Sequence, residues 1–429
     1  MATARSRSRS ARATDLRWRG ALAVLDEMRR EPGVTRAAVA RRLGLSTGSA
    51  TEITSRLRDL ALLAETPAAP ASRGRPTSVL VPHPEGPVVI AVDLRQEDWR
   101  CAVAALDGRP VVADGGPHHS RAPERVIGTV ARAVGRLRDR YGERVRAISV
   151  AVAATVRHGT VVQSSVLGWD AVDLAALAGN AVVPAPPTGD AADPAVPTGD
   201  AGGLIARVGD ASAPLLVGND ATLAGLAEAR HGVAAGAAAV LHVTVEVGVG
   251  GTLVLDGRPL HGATGAGGEF GHLPFGDPGL RCPCGASGCW DLEVDGRAIA
   301  RHLGDPPPRD PRTYAEQALA RAPADPAVRD AVGRAATRLG RGLAGLVNAL
   351  DPAVVTLGGL AQPLRAAAEP EFTAALADGL MRFRRPAPPP VLPAALGRDG
   401  ALHGAAVTGL DHVLTEDGLT AWAALRSST

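Results

Sequence analysis

The ten residues 281–290, RCPCGASGCW, constrain this chain more than any other stretch. Three of its four cysteines, Cys282, Cys284 and Cys289, fall within eight residues, and His272 stands ten residues before the first. One imidazole and three thiolates form the donor set of a four-coordinate ion, zinc above all. To hold one, residues 272–289 must fold back on a single point, and Gly285 and Gly288 give the backbone that freedom. Four protein ligands leave no open coordination position, so the set predicts a structural site rather than a hydrolytic one. The other reading is a cluster of buried free thiols. With Cys101 alone far upstream, a secreted disulfide framework is excluded.

Charge divides the chain. All 46 basic residues are arginine, and residues 1–80 hold 15 of them against 7 acidic residues, whereas the rest holds 31 against 37. A basic head on an acidic body predicts a head that meets a polyanion. Without lysine, no G-x-x-x-x-G-K-[ST] phosphate loop exists. The first residues, MATARSRSRSARATD, are basic with no apolar run behind them, and no run of about 18 apolar residues occurs anywhere. These features predict a cytoplasmic protein.

Within the head, residues 1–14 read as a disordered basic tail and 15–83 as a DNA-binding unit. Leu22, Leu25 and Met28 mark one helix, ended by Glu31-Pro-Gly. Thr35 caps a second helix, Gly44 supplies a turn, and Ser46 caps a third with Ala50, Ile53, Leu57 and Leu60 on one apolar face. Two short helices about a glycine turn describe a helix-turn-helix, with TSVLVPH as the strand of a wing. Ser46, Thr47, Ser49, Thr51 and Arg56 are then the candidates for the DNA groove, and Arg73 and Arg75 for phosphates. A plain helical bundle with a charged outer face is the alternative.

The texture of 84–429 is α/β. PVVIAVDL is an apolar strand, RCAVAALDGRPVV a hairpin turning at Asp107-Gly108, and a helix follows with Val126, Val130, Val134 and Leu137 on one face. The pentapeptide PTGDA occurs at 187–191 and 197–201, and about 184–203 reads as an unstructured insertion. PLLVGND, AVLHVTVEVGVGGTLVLDG and DPAVVTLGGL supply the strands of a second half. Two α/β halves predict two lobes with a ligand cleft at the C-terminal strand ends.

GATGAGGEFGHLPFGDPGLRCPCGASGCWD, VGNDATLAGLAE and the head segment GLSTGSATEITSRL with its following GRP together resemble the ROK family (repressor, open reading frame, kinase), in its transcriptional-regulator branch. The resemblance implies a bilobal actin-like, sugar-kinase (ribonuclease H-like) fold behind a winged helix-turn-helix. It implies a sugar or sugar-derivative effector bound by Asn219, Asp220, Glu269, His272 and Asp291, with zinc held by His272, Cys282, Cys284 and Cys289 in the 272–289 loop. Asp291 stands where the family has Glu, and Glu293 is a second candidate for that contact. A homodimer or homotetramer on a double-stranded operator, with no membrane partner, is implied as well. In the family's kinases the residue matching Asp220 is the general base and a Gly-Gly-Thr loop follows the first strand's Asp. Here that stretch reads VDLRQEDWR, with no glycine after Asp93 and with Glu97 and Asp98 adding negative charge. The expectation is a regulator, not an enzyme. An ATP-dependent sugar kinase retaining Asp220 is the alternative, and a DNA-binding protein with a ligand-free body is a third reading.

Overall fold

The computed structural model describes residues 18–68, 78–157, 159–175 and 213–428. The basic tail at 1–14, Arg73, Arg75 and the insertion at 184–203 lie outside the described residues.

The head opens with α1 (18–30), α2 (Arg36–Arg42) and α3 (Thr47–Asp59). Thr35 and Ser46 cap the second and third helices, their hydroxyls accepting from the N–H groups of Ala38 and Ser49. Gly44 turns between them at φ +63. A two-stranded antiparallel ribbon follows, β1 (Leu63–Pro67) against β2 (Ser78–Pro82). Ala50 and Leu57 of α3 are buried, as the apolar stripe requires, while Ile53 and Leu60 are half-buried.

The first lobe is a five-stranded sheet of β3 (Val88–Leu94), β4 (Asp98–Ala104), β5 (Pro110–Pro117), β6 (Val145–Val152) and β9 (Leu215–Asn219), in the order β5-β4-β3-β6-β9. Helix α4 (Pro123–Tyr141) covers one face, burying Val126, Val130, Val134 and Leu137, and a small hairpin of β7 (Thr155–Arg157) and β8 (Thr160–Gln163) follows β6. Strands β3, β6 and β9 are parallel and largely apolar and buried, with Ser149 the polar residue in the middle of β6, the pattern of a sheet covered on both faces. Helix α5 (Asp220–His231) leads out of β9 into the second lobe.

That lobe repeats the plan. Strands β10 (Ala239–Glu246), β11 (Gly248–Leu255), β12 (Arg258–Pro259), β13 (Val354–Gly359) and β14 (Val391–Pro393) lie in the order β12-β11-β10-β13-β14. Helices α6 (Gly296–Leu303), α7 (Pro311–Arg321), α8 (Pro326–Leu350), α9 (Ala361–Ala367) and α10 (Glu369–Gly379) pack around it. In both sheets an antiparallel meander is extended by parallel strands, the architecture of a bilobal sugar-kinase-like fold. The chain then returns to the first lobe through α11 (Gly400–Val413) and ends in α12 (Glu416–Ser427).

The backbone crosses between lobes twice, after α5 and after β14. Glu228 of α5 ties both crossings. Only 1% exposed, it accepts from Leu396 N–H through Oε1 at 2.7 Å and from Val233 N–H through Oε2 at 3.1 Å. Helix α11 lies directly on α5, and Gly404 permits it: a Cβ there would sit 2.0 Å from the Leu223 carbonyl oxygen.

The head does not hang from the body by a linker. One hydrophobic cluster runs from Leu25, Met28, Leu57 and Leu80 to Leu410, Val413, Leu419 and Trp422. Trp422 Nε1 donates to the Leu60 carbonyl at 2.8 Å, and Trp18 Nε1 to Thr420 Oγ1 at 2.9 Å. The core of the 15–83 segment therefore continues into the last two helices.

Candidate functional site

Between the lobes lies a cleft of about 150 Å³, lined from the ends of β3, β9, β10 and β13 and from the loops after them. Asn219 and Asp220 line it where β9 turns into α5. Asn219 is the cap of that helix: its Oδ1 accepts from Thr222 N–H at 2.9 Å while Nδ2 donates to the Ala154 carbonyl at 3.1 Å. The capping role and a place in the cleft thus coexist in one residue. Asp220 is half-buried, with Oδ1 accepting from Ala221 N–H at 2.8 Å. Burial pushes its carboxyl up to about 7; the Ala221 N–H opposes this, while the charges of Asp93 and Glu269 add to the rise.

Glu269, His272 and Asp291 line the same cleft from the second lobe. His272 Nε2 is 3.9 Å from Glu269 Oε2, and its other nitrogen, Nδ1, lies 3.8 Å from Cys282 Sγ. One imidazole thus touches the cleft with one nitrogen and the cysteine cluster with the other. Asp291 differs from expectation in what it does. It is 6% exposed, with Oδ1 accepting from Val249 N–H at 2.7 Å and Oδ2 paired with Arg297 at 3.1 Å. Both oxygens are engaged in bracing the start of β11, so Asp291 shapes the cleft wall rather than presenting a free carboxylate. Glu293 does not substitute for it. It is 2% exposed, accepts from Asp277 N–H at 2.9 Å and pairs with Arg301 at 3.2 Å, away from the cleft.

The four candidate metal ligands converge. One donor atom from each of His272, Cys282, Cys284 and Cys289 lies within 4.8 Å of the others. Cys284 Sγ and Cys289 Sγ are 3.7 Å apart. Thiolates ~2.3 Å from one ion at tetrahedral corners stand ~3.8 Å apart, so the cluster already has the edge length of a four-ligand shell. Burial pushes the Cys289 thiol up to about 12 and Cys282 upward, and a bound cation reverses that cost. The shell can therefore hold one metal ion, with no ligand position left for water. Trp290 follows the last cysteine and anchors the loop, fully buried with Nε1 donating to the Arg338 carbonyl at 3.0 Å.

The segment after Asp93 departs from expectation in its electrostatics. Arg95 Nε and Arg100 guanidinium donate to Asp93 Oδ2 at 2.8 and 3.0 Å. Arg100 also pairs with Asp399, and Arg312 with Glu246. Burial, followed by the nearby Arg398, holds the Arg312 guanidinium below its ordinary range. Arg95 Nε also lies 3.8 Å from Asp98 Oδ1, while burial and the charges of Asp310 and Asp98 hold the Glu97 carboxyl above its ordinary range, with Arg312 opposing them. A steric element adds to the charge: the Arg95 side chain folds over Asp93, where a glycine would leave the backbone open. Arg95, Arg312, Arg398, His242 and Glu228 all line the cleft and were not anticipated. They come from five distant segments, and no short motif marks them.

In the head, Ser46, Thr47, Ser49 and Thr51 are exposed along the first turns of α3. The Ser46 hydroxyl is used as a cap, and Thr51 Oγ1 donates back to the Thr47 carbonyl at 2.8 Å. Arg56 is half-buried, its guanidinium 4.3 Å from the centroid of the Trp18 ring. It packs α3 onto α1 by a cation–π contact, which corrects its expected placement among the outward residues.

Residues 204–411 match the model described as the ROK family. The glucokinase of Streptomyces coelicolor is 31% identical over 163 residues, covering 34% of this chain and 51% of that one. The xylose repressor of Bacillus subtilis is 27% identical over 92 residues, 21% of this chain and 24% of that one. The chain spans about half or less of the length of these curated relatives. A crystal structure of a ROK family transcriptional regulator, a homologue of the E. coli MLC protein, superposes with a TM-score of 0.66 at 20% identity, over 94% of this chain and 98% of that one. At that identity the likeness is one of fold, and it extends through the head.

Proposed function

Starting from a chain that carries a ROK-family domain over residues 204–411, we propose that it is a sugar-responsive, DNA-binding transcriptional regulator that represses carbohydrate-utilisation genes. The observation that carries this reading is the continuity of one hydrophobic core from α3's helical unit into α11, whose first residue, Gly400, lines the cleft. A ligand that prefers one arrangement of the lobes then biases the placement of the head, and only differential affinity for the two arrangements is needed. In this reading Thr47, Ser49 and Thr51 meet base edges, Arg73 and Arg75 meet phosphates, and the chain binds its operator as a homodimer or homotetramer. Asn219, Asp220, Glu269 and His272 take the sugar's hydroxyls, which donate and accept in pairs as these side chains do. Zinc is the ion assigned to His272, Cys282, Cys284 and Cys289. Once bound, it fixes the imidazole orientation through Nδ1 and leaves Nε2 toward Glu269 and the sugar.

Mobility-shift titrations of the DNA upstream of its own gene, across salt and a sugar panel, test the reading. A specific complex that weakens steeply with salt and responds to one sugar is expected. Absence of any sequence-specific complex refutes it. The second reading, an ATP-dependent sugar kinase, draws on Asp220, whose carboxyl near 7 suits a general base. An ATP-coupled assay over hexoses and amino sugars separates the two: turnover that disappears in Asp220→Asn establishes the kinase.

A further inference from the structure

Helix α3 turns its first residues outward, and one side chain among them is unexpected on a helix that faces a polyanion. Between Ser46 and Ser55 the sequence TGSATEIT carries a single charge, and it is negative: Glu52. Ala50, Thr54 and Leu57 are buried on the core side. Glu52, two residues past Ala50, lies about 200° round the helix at ~100° per residue, near the middle of the opposite face. It is exposed, and among the described residues it meets no hydrogen bond or ion pair. Arg56, one turn on, is stacked over Trp18.

Gly48, one turn before Glu52, is on the same outward face. A Cβ there would meet nothing closer than Ser46 Oγ at 3.8 Å, an ordinary contact. Glycine is a poor helix residue, and here no neighbour in the described chain demands it. A missing Cβ on an exposed face lets an outside surface come closer to the helix backbone. The hydroxyls nearby do not choose between bases. Ser46 and Ser49 Oγ are 3.0 Å apart, and Thr51 Oγ1 is turned back to the Thr47 carbonyl. Such hydroxyls accept from one base edge as readily as they donate to another.

A carboxylate held among phosphates weakens binding unless it takes a donor. In the major groove guanine offers only acceptors, and thymine an acceptor beside a methyl group. Adenine sets its N6 donor beside the N7 acceptor, which repels a carboxylate. Cytosine offers its N4 amino group with no acceptor of its own next to it. We infer that Glu52 selects the operator: it accepts from the N4 amino group of one cytosine in each half-site, with Gly48 letting α3 sit deep enough to reach it. The inference rests on the reading of the head as a DNA-binding unit and adds to it a specificity-determining residue and the base it reads.

Selection of sites from a random duplex library by the full chain, followed by mobility shifts at fixed salt, tests it. Each half-site of the selected operator should contain a C·G pair whose replacement by T·A weakens the parent about tenfold. The same replacement should cost Glu52→Ala almost nothing. Glu52→Gln, which brings a donor as well as an acceptor, should move the preference at that pair to adenine. On duplexes of unrelated sequence Glu52→Ala should bind as tightly as the parent or more tightly, because a negative charge has left the phosphates. Gly48→Ala should melt no lower than the parent yet lose operator affinity, and unchanged melting of the Glu52 variants confirms that they fold. If replacing each half-site pair in turn weakens the parent and Glu52→Ala by the same factor, Glu52 reads no base and the inference is refuted while the regulator reading stands. If Glu52→Ala tightens binding to every duplex alike and selects the same sequence, Glu52 does no more than repel phosphates, which also refutes it. A Gly48→Ala protein that binds the operator as the parent does refutes the close approach. If the library yields no enriched sequence, the DNA-binding reading fails and the inference fails with it.

Discussion

Asp220 should make the folded chain less stable as pH rises, and Asp220→Asn should remove that penalty. Its carboxyl moves from an ordinary 3.8 to about 7 on folding. A shift of about three units corresponds to about 4 kcal/mol at ~1.4 kcal/mol per unit. Because the side chain is only half-buried and the cleft admits water, an effect of about 1–3 kcal/mol is expected. Below pH 3.8 both folded and unfolded chains hold the proton, and the group contributes no difference. Between 3.8 and about 7 the unfolded chain releases its proton while the folded chain keeps it, so stability falls with rising pH and levels off above about 7. The asparagine variant does not titrate. Chemical denaturation of both proteins at a series of pH values, without sugar, isolates the effect, because every other titrating group cancels in the difference. The variant should match the parent near pH 4 and exceed it by about 1–3 kcal/mol at pH 8. A difference that stays flat from pH 4 to pH 8, or an asparagine variant less stable at pH 8, refutes the reasoning. The same linkage predicts that a sugar whose hydroxyls donate to Asp220 binds more tightly above pH 7 than below it.

Three further outcomes are expected. Cys284→Ala should lose the bound metal, read by elemental analysis, and weaken the sugar response together, because His272 faces both; metal loss with an unchanged response would reduce the loop to a staple. Glu228→Ala should cost about 2–5 kcal/mol in denaturation, since the N–H groups of Leu396 and Val233 lose a charged acceptor, and Glu228→Gln should cost roughly half, keeping one of the two bonds. Gly342→Ala should cost about 1–3 kcal/mol and shift the near-ultraviolet signal of Trp290, whose ring would lie 2.2 Å from the new Cβ.

What was legible in the sequence was what short range dictates. The cysteine cluster shows itself because its ligands lie within eighteen residues. The caps Thr35 and Ser46 show themselves because a hydroxyl three residues ahead of its N–H partner is a local device. Strands β3, β6, β10 and β13 are mostly apolar stretches, buried along most of their length, as a covered sheet requires. What escaped was set by partners far along the chain. Arg56 read as a groove residue because Trp18, which it stacks on, is in another helix. Asp291 read as a sugar ligand because the Val249 N–H that occupies it is 42 residues away. The arginines around Asp93 were out of view because Arg100 is seven residues on and also holds Asp399 from the far end of the chain. Glu228 carries no motif at all; its meaning is given by Leu396, 168 residues on.

Helix α11 has a mechanical consequence. Its 14 residues make a rod about 21 Å long at ~1.5 Å per residue, with Gly400 at the cleft and Leu410 and Val413 in the core under the head. A rod pivoted at one end amplifies: a tilt of about five degrees at the cleft carries the far end roughly 2 Å over such a length. The far end of the rod joins the head through α12, where Trp422 donates to the Leu60 carbonyl and Thr420 accepts from Trp18. Under the proposed reading, a shift of the lobes at Gly400 is carried through this joint toward α3.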